Sequence, residues 1–192
     1  MSLKKINPRG ATLFLFIFSV GLLRIGTTMG RELSPLCNFT PIGAMALFGG
    51  AYFSNPWKAY GFPLLTLLVG DLILSATVFR ELKSGLLYTG WYWTYAAFAL
   101  MTLTGRLLIR KPGVKSILLS SIVCVLIHWI VTDIGAWQMG ILYPRTFAGY
   151  LECLVAAIPY EGRFLAGTLL YGAVLFGLFE WMQKKYKSLQ LV

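Results

Sequence analysis

Apolar stretches separated by short polar or basic breaks run almost the whole length of the chain. They cover roughly residues 11–30, 41–54, 59–79, 87–109, 115–138 and 163–183. Five are long enough for a helix to cross a bilayer, which takes about 20 apolar residues. The second is too short. Its uninterrupted apolar part, Pro41 to Phe53, is only 13 residues. It is crowded with Gly43, Ala44, Ala46, Gly49, Gly50 and Ala51, whose small side chains let other helices approach the backbone closely. The pattern predicts a short, smooth helix inside a bundle, with a polar mouth at Asn38 and Thr40, on which the other helices assemble. One further apolar stretch, 147–158, lies in the long connection 140–162 and fits a re-entrant or interfacial helix.

Composition settles the class. The 192 residues are 57% hydrophobic and 12% charged, with a mean hydropathy of +0.71. A soluble domain of this size could not bury so much apolar surface. The expected fold is all-α: a polytopic membrane helix bundle of about six transmembrane helices, with residues 1–192 forming a single integral membrane domain. The net charge of +10 changes the picture only through its placement. Lys4, Lys5, Arg9, Lys58, Arg106, Arg110, Lys111, Lys115, Lys184, Lys185 and Lys187 fall on one side of the six-span scheme. Arg31, Arg80, Lys83, Arg145 and Arg163 fall on the other, diluted by Glu32, Glu81, Glu152 and Glu161. The positive-inside rule then puts both termini in the cytoplasm. The bases describe orientation in a lipid bilayer, and no nucleic-acid partner is expected.

Residues 1–23 begin like a signal peptide but lack a good cleavage site, so they read as a span. Cys37, Cys124 and Cys153 form no C-x-x-C pair, and no disulfide framework is expected. In the first span, Arg24, Thr27, Thr28 and Arg31 share a face, with Gly26 and Gly30 spaced for close helix contact beside it. Pro63 is expected to kink the third span. Gly167, Gly172 and Gly177 in the last span are five apart and do not share a face.

Candidate chemistry rests on ionisable residues inside the spans: Arg24, Asp71, His128 and Asp133. Each charge near the bilayer centre costs about 2.5–3.5 kcal/mol, so these groups must pair, face water or sit near the interface. All four fall in the outer halves of their helices, level with the aromatic run 91–95, Trp137 and Tyr143. The expectation is an outward-facing cavity for a small, polar, ring-bearing ligand, with Trp91 and Trp137 as aromatic walls and Asn38, Thr40 and Arg145 near its mouth. The inner half looks almost featureless. Plainer uses stand beside this one. Arg24 and Asp71 suit a structural ion pair, the tryptophans an interfacial belt, His128 a hydrogen-bonded packing role, and Tyr143-Pro144-Arg145 a helix cap.

The chain has no G-x-S-x-G, H-E-x-x-H or phosphate-binding loop, so it is not expected to be an enzyme. A lone histidine makes no transition-metal site by itself, and neither metal nor cofactor is expected. An ATPase module is missing too, so active transport would need partner subunits.

Asn38-Phe39-Thr40-Pro41-Ile42-Gly43-Ala44 and Leu47-Phe48-Gly49-Gly50-Ala51-Tyr52-Phe53 resemble the signature of a bacterial family of candidate membrane transport proteins of unknown function. Gly70-Asp71, Gly105-Arg106 and Tyr143-Pro144-Arg145-Thr146 resemble it too, so the likeness runs over roughly residues 12–180. That family in turn is similar to the substrate-binding S components of energy-coupling-factor (ECF) vitamin transporters. The resemblance implies six helices and location in the bacterial inner membrane. It implies capture of a vitamin-like small molecule at the outer face, and a complex with an ECF coupling subunit and two ATPases, which the Gly43–Ala51 surface could contact. The alternative is a non-catalytic accessory subunit of a larger membrane complex, with that small-residue surface and the basic turns as docking sites. A lipid-converting enzyme using His128 and Asp133 as acid and base ranks last, because no nucleophile accompanies them.

Overall fold

The computed structural model describes residues 7–28, 38–77, 80 and 83–190. They form six α-helices: α1 (Pro8–Thr28), α2 (Ile42–Tyr52), α3 (Pro56–Ala76), α4 (Trp91–Leu108), α5 (Val114–Met139) and α6 (Phe147–Lys185). An antiparallel ribbon of two short strands, β1 (Lys83–Ser84) and β2 (Leu87–Tyr88), lies between α3 and α4. Lys4, Lys5, Gly30, Arg31, Glu32, Cys37 and Glu81, which enter the expectations above, lie outside the described residues.

α2 is the centre of the bundle. It packs against each of the other five helices, and ten of its eleven residues are buried. Its glycines explain how so many elements fit around it. A Cβ on Gly50 would stand 2.0 Å from the Thr102 carbonyl oxygen and 2.8 Å from the Arg106 nitrogen. From the other side, a Cβ on Gly105 would stand 2.3 Å from the Leu47 carbonyl oxygen. The α2 and α4 backbones therefore touch directly. Gly49 takes the Pro63 ring of α3 and Gly43 takes the Thr168 side chain of α6, at 2.6 and 2.3 Å from the added atoms. Below this glycine-rich face, Phe48 is fully buried among Phe16, Tyr52, Phe176 and Phe179, with ring centroids 4.7–5.5 Å from its own.

Helices α1, α3, α5 and α6 are long and apolar enough to cross a membrane, which makes this a multi-pass membrane protein. The other two expected spans do not meet that measure. α2 is about 16 Å long at 1.5 Å per residue, and α4 opens on Trp91-Tyr92-Trp93-Thr94-Tyr95. α4 also starts later than residue 87, because Gly85 and Gly90, with φ of +81° and +80°, fold residues 83–90 into the ribbon and a turn.

The separate helix expected at 147–158 is corrected. Residues 147–185 form one helix, about 58 Å long at 1.5 Å per residue. Thr146 caps it by accepting from the Gly149 N–H at 3.2 Å. Pro159 does not end it. A proline forfeits one backbone hydrogen bond, while side-chain bonds from α5 hold both flanks: Trp129 Nε1 donates to the Leu154 oxygen at 3.0 Å, and His128 meets Glu161. Gly26, expected to mediate close contact, faces open space, whereas Gly21, which was not singled out, is pressed against Thr66 of α3.

The start of α1 and the end of α6 meet at one end of the bundle. Arg9 is only 7% exposed there. Its guanidinium donates to Gln183 Oε1 at 2.7 Å, to the Leu189 carbonyl, and to the Tyr52 carbonyl at 3.3 Å. Tyr52 in turn donates to Glu180 Oε1 at 2.5 Å. The expectation of a featureless inner half fails at this rim: a residue counted only as a topogenic charge ties α1, α2 and the chain's end together.

Candidate functional site

At the opposite end, beyond the start of α2, the longer helices bring together two pairs of ionisable side chains. The first joins α1 to α3. Arg24 Nη2 donates to Asp71 Oδ1 at 2.6 Å, with side chains 13% and 1% exposed. Tyr95 of α4 donates its hydroxyl to Asp71 Oδ2 at 3.1 Å. Both carboxylate oxygens are thus engaged, as a buried charge requires. Gly70 makes the approach possible, since an added Cβ would lie 2.9 Å from Arg24 Nη1. Tyr88 of β2 stands at the edge of this cluster. Burial, and after it the Asp71 carboxylate, push its phenol up to about 12. Ser75, one turn beyond Asp71, is buried with no hydrogen-bond partner among the described residues.

The second pair joins α5 to α6. His128 Nδ1 lies 2.9 Å from Oε1 and 3.1 Å from Oε2 of Glu161, and the imidazole rests on the Phe164 ring at 4.3 Å. Glu161 is 5% exposed. Sequence reasoning assigned it to the outer connection 140–162, ahead of a last span expected to begin at residue 163. Once the helix is seen to continue, Glu161, Phe164 and Thr168 fall on one face at helical spacing, which is the signal that could have found it.

The stripe Trp129, Asp133 and Trp137 packs on the first turns of α6. Trp137 Nε1 donates to the Pro144 and Thr146 carbonyls at 3.0 and 3.1 Å, fastening the α5–α6 turn. Tyr150 donates to the Ile130 carbonyl at 2.7 Å. Asp133 Oδ2 is buried between these contacts and has no hydrogen-bond partner among the described residues.

The remaining candidates scatter. Trp91 is 42% exposed and meets Tyr95 edge-on at 5.3 Å. It is Trp93, expected only as part of the aromatic run 91–95, that reaches α5, donating to Gln138 Oε1 at 3.1 Å. Arg145 donates to the Met139 carbonyl at 3.4 Å and covers the end of α5, where Gly140 has a φ of +65°. Asn38 takes a left-handed φ of 68° in the turn before α2, a conformation asparagine tolerates. Thr40 follows, its backbone against Gly167 of α6 and its Oγ1 buried without a partner among the described residues. Arg24 and Asp71 are therefore brought together, with Tyr95 and Tyr88, while His128 is bound to Glu161 on a different helix pair. Among the described residues no three His, Cys, Asp or Glu side chains gather as metal ligands do.

No curated protein matches the chain, and no solved structure does. A family model matches residues 4–189, nearly the whole length, and on that match the chain belongs to DUF6580, a family of unknown function.

Proposed function

We propose that the protein is the substrate-binding subunit of a membrane transporter, of the S-component type, capturing a small ring-bearing micronutrient at the end of the bundle opposite Arg9 and Glu180. One observation carries this reading. α2 fills only half the depth of the bundle, and its five longer neighbours continue past its N-terminal end carrying Arg24, Asp71, Tyr95, His128, Glu161 and Asp133, with Tyr88 of the β2 ribbon beside them. Ionisable groups in a membrane interior are costly and mark ligand or ion sites by default. Among the described residues, the polar atoms there without hydrogen-bond partners include Asp133 Oδ2 and Thr40 Oγ1, which a ligand's donors would satisfy after a modest side-chain movement. Phenol and indole rings at the same end provide surfaces on which a ring could stack.

The accessory-subunit reading has its own support: Asp71 and Glu161 already hold protein partners, as structural tethers would. Mass spectrometry of small molecules released from gently purified protein separates the two. A stoichiometric compound retained by the wild type and lost from an Asp133→Asn variant of normal folded yield supports capture. Protein that is consistently empty, yet co-purifies with the same membrane subunits, refutes capture and supports the accessory role.

A further inference from the structure

Glu161 has a second side. Away from His128 it lines a groove of about 230 Å³ between α5 and α6, whose other walls are Ile122, Val125, Leu126, Trp129, Ile158, Gly162 and Leu165. Leu126 and Ile158 are about half exposed, and a Cβ on Gly162 would meet nothing within 4 Å. In a membrane-spanning bundle such an apolar, outward-facing groove opens onto lipid chains. A carboxylate lining a lipid-facing groove stands against lipid chains rather than water, and among the described residues its hydrogen-bonding side-chain partner is an imidazole.

From this geometry we infer that Glu161, with His128, is a proton-binding site reached from the bilayer face of the α5–α6 groove. The chemistry favours a proton over any other ligand. A hard metal cation takes six or more oxygen ligands, whereas here only one carboxylate meets one nitrogen. Across the 2.9 Å contact a single proton serves either atom: Nδ1–H donates to the carboxylate, or a carboxylic O–H donates to Nδ1. Taking up a second proton, or giving up the shared one, changes the charge inside the membrane. Among the described residues, the titratable neighbours that feel the charge of Glu161 include Asp133 and Cys124 of α5. α2 brings no ionisable side chain between Ile42 and Leu47.

An apolar carbodiimide, dicyclohexylcarbodiimide, tests the inference on the full-length protein in lipid vesicles. The carboxylic proton passes to a carbodiimide nitrogen while the carboxylate oxygen bonds the central carbon. Migration of the acyl group to nitrogen then leaves a stable acylurea that retains every atom of the reagent. The expected result is a mass gain of one reagent per chain, mapped by peptide sequencing to Glu161. It should be greater at mildly acid than at alkaline pH, and much weaker with a charged, water-soluble carbodiimide. His128→Gln should alter the pH profile while leaving the labelled position unchanged. Absence of an adduct at Glu161 in folded wild-type protein overturns the inference, as does equal labelling by the water-soluble reagent. Because the peptide map is read on the wild type, a Glu161→Gln control that fails to fold does not remove the test.

Discussion

Replacing Gly50 by alanine asks whether α2 and α4 really meet backbone to backbone. The new Cβ would stand 2.0 Å from the Thr102 oxygen, where ordinary contact begins at 3.4 Å, a deficit of about 1.4 Å. A flexible side chain could swing aside. A helix carbonyl cannot, and the Arg106 nitrogen lies 2.8 Å away on the same helix. The only relief is for α4 to move, which also loosens Leu47 against Gly105. Overpacking a well-filled core costs typically about 1–3 kcal/mol, and contact with backbone puts Gly50→Ala at the upper end. For a domain of this size about 3 kcal/mol lowers the melting temperature by roughly 6–12 °C. Cys124 and Cys153 are buried, so in a Cys37→Ser background a thiol-reactive fluorophore reports unfolding in detergent. Gly61→Ala and Gly177→Ala are matched controls, since a Cβ at either site meets nothing within 4 Å, and helix propensity alone favours alanine by about 1 kcal/mol. If Gly50→Ala melts with the wild type while the controls behave as expected, the central packing described here is wrong.

Other outcomes follow from the polar cluster. Asp71→Asn or Arg24→Met alone breaks a largely buried ion pair by removing one half of it and should cost about 3–5 kcal/mol, with the double variant costing clearly less than the sum. Additive losses in that cycle would mean the pair does not interact. At Tyr88, the folded state holds its proton up to about 12, whereas an unfolded tyrosine releases it near pH ~10. The folded form therefore binds more protons in that window, and stability falls as pH rises from about 10 towards 12, by up to about 1.4 kcal/mol per pH unit. Tyr88→Phe should flatten that part of the melting-temperature profile, and parallel wild-type and variant curves would refute the assignment.

What the sequence revealed depended on the range of the signal. The small-residue run of α2 and the long apolar stretch of α5 are local, and both helices stand where the pattern predicts them. The Arg24–Asp71 contact was anticipated as one plain use of two charges inside adjacent spans. Glu161 was not, because it falls in the connection 140–162 when packing cannot be seen, and its partner lies 33 residues away. Arg9 was hidden for the opposite reason: a base at the start of a span carries a topological meaning so common that its network with Tyr52, Glu180 and Gln183 leaves no trace in periodicity. The ribbon at 83–88 had a usable cue, a glycine opening a two-residue turn, but strands of two residues give no alternation to read.

The shortness of α2 has a consequence for how the chain reaches the membrane. At about 16 Å it falls well short of a hydrocarbon core about 30 Å thick, so an insertion machinery reading apolar length has little to recognise. Most of its surroundings, from α3, α4, α5 and α6, are made after it. During synthesis α2 must wait, tethered between α1 and α3, for helices that do not yet exist. Its final position is therefore a product of folding rather than of insertion, and a nascent chain halted before α4 holds the centre of the protein without the backbone surface that receives it.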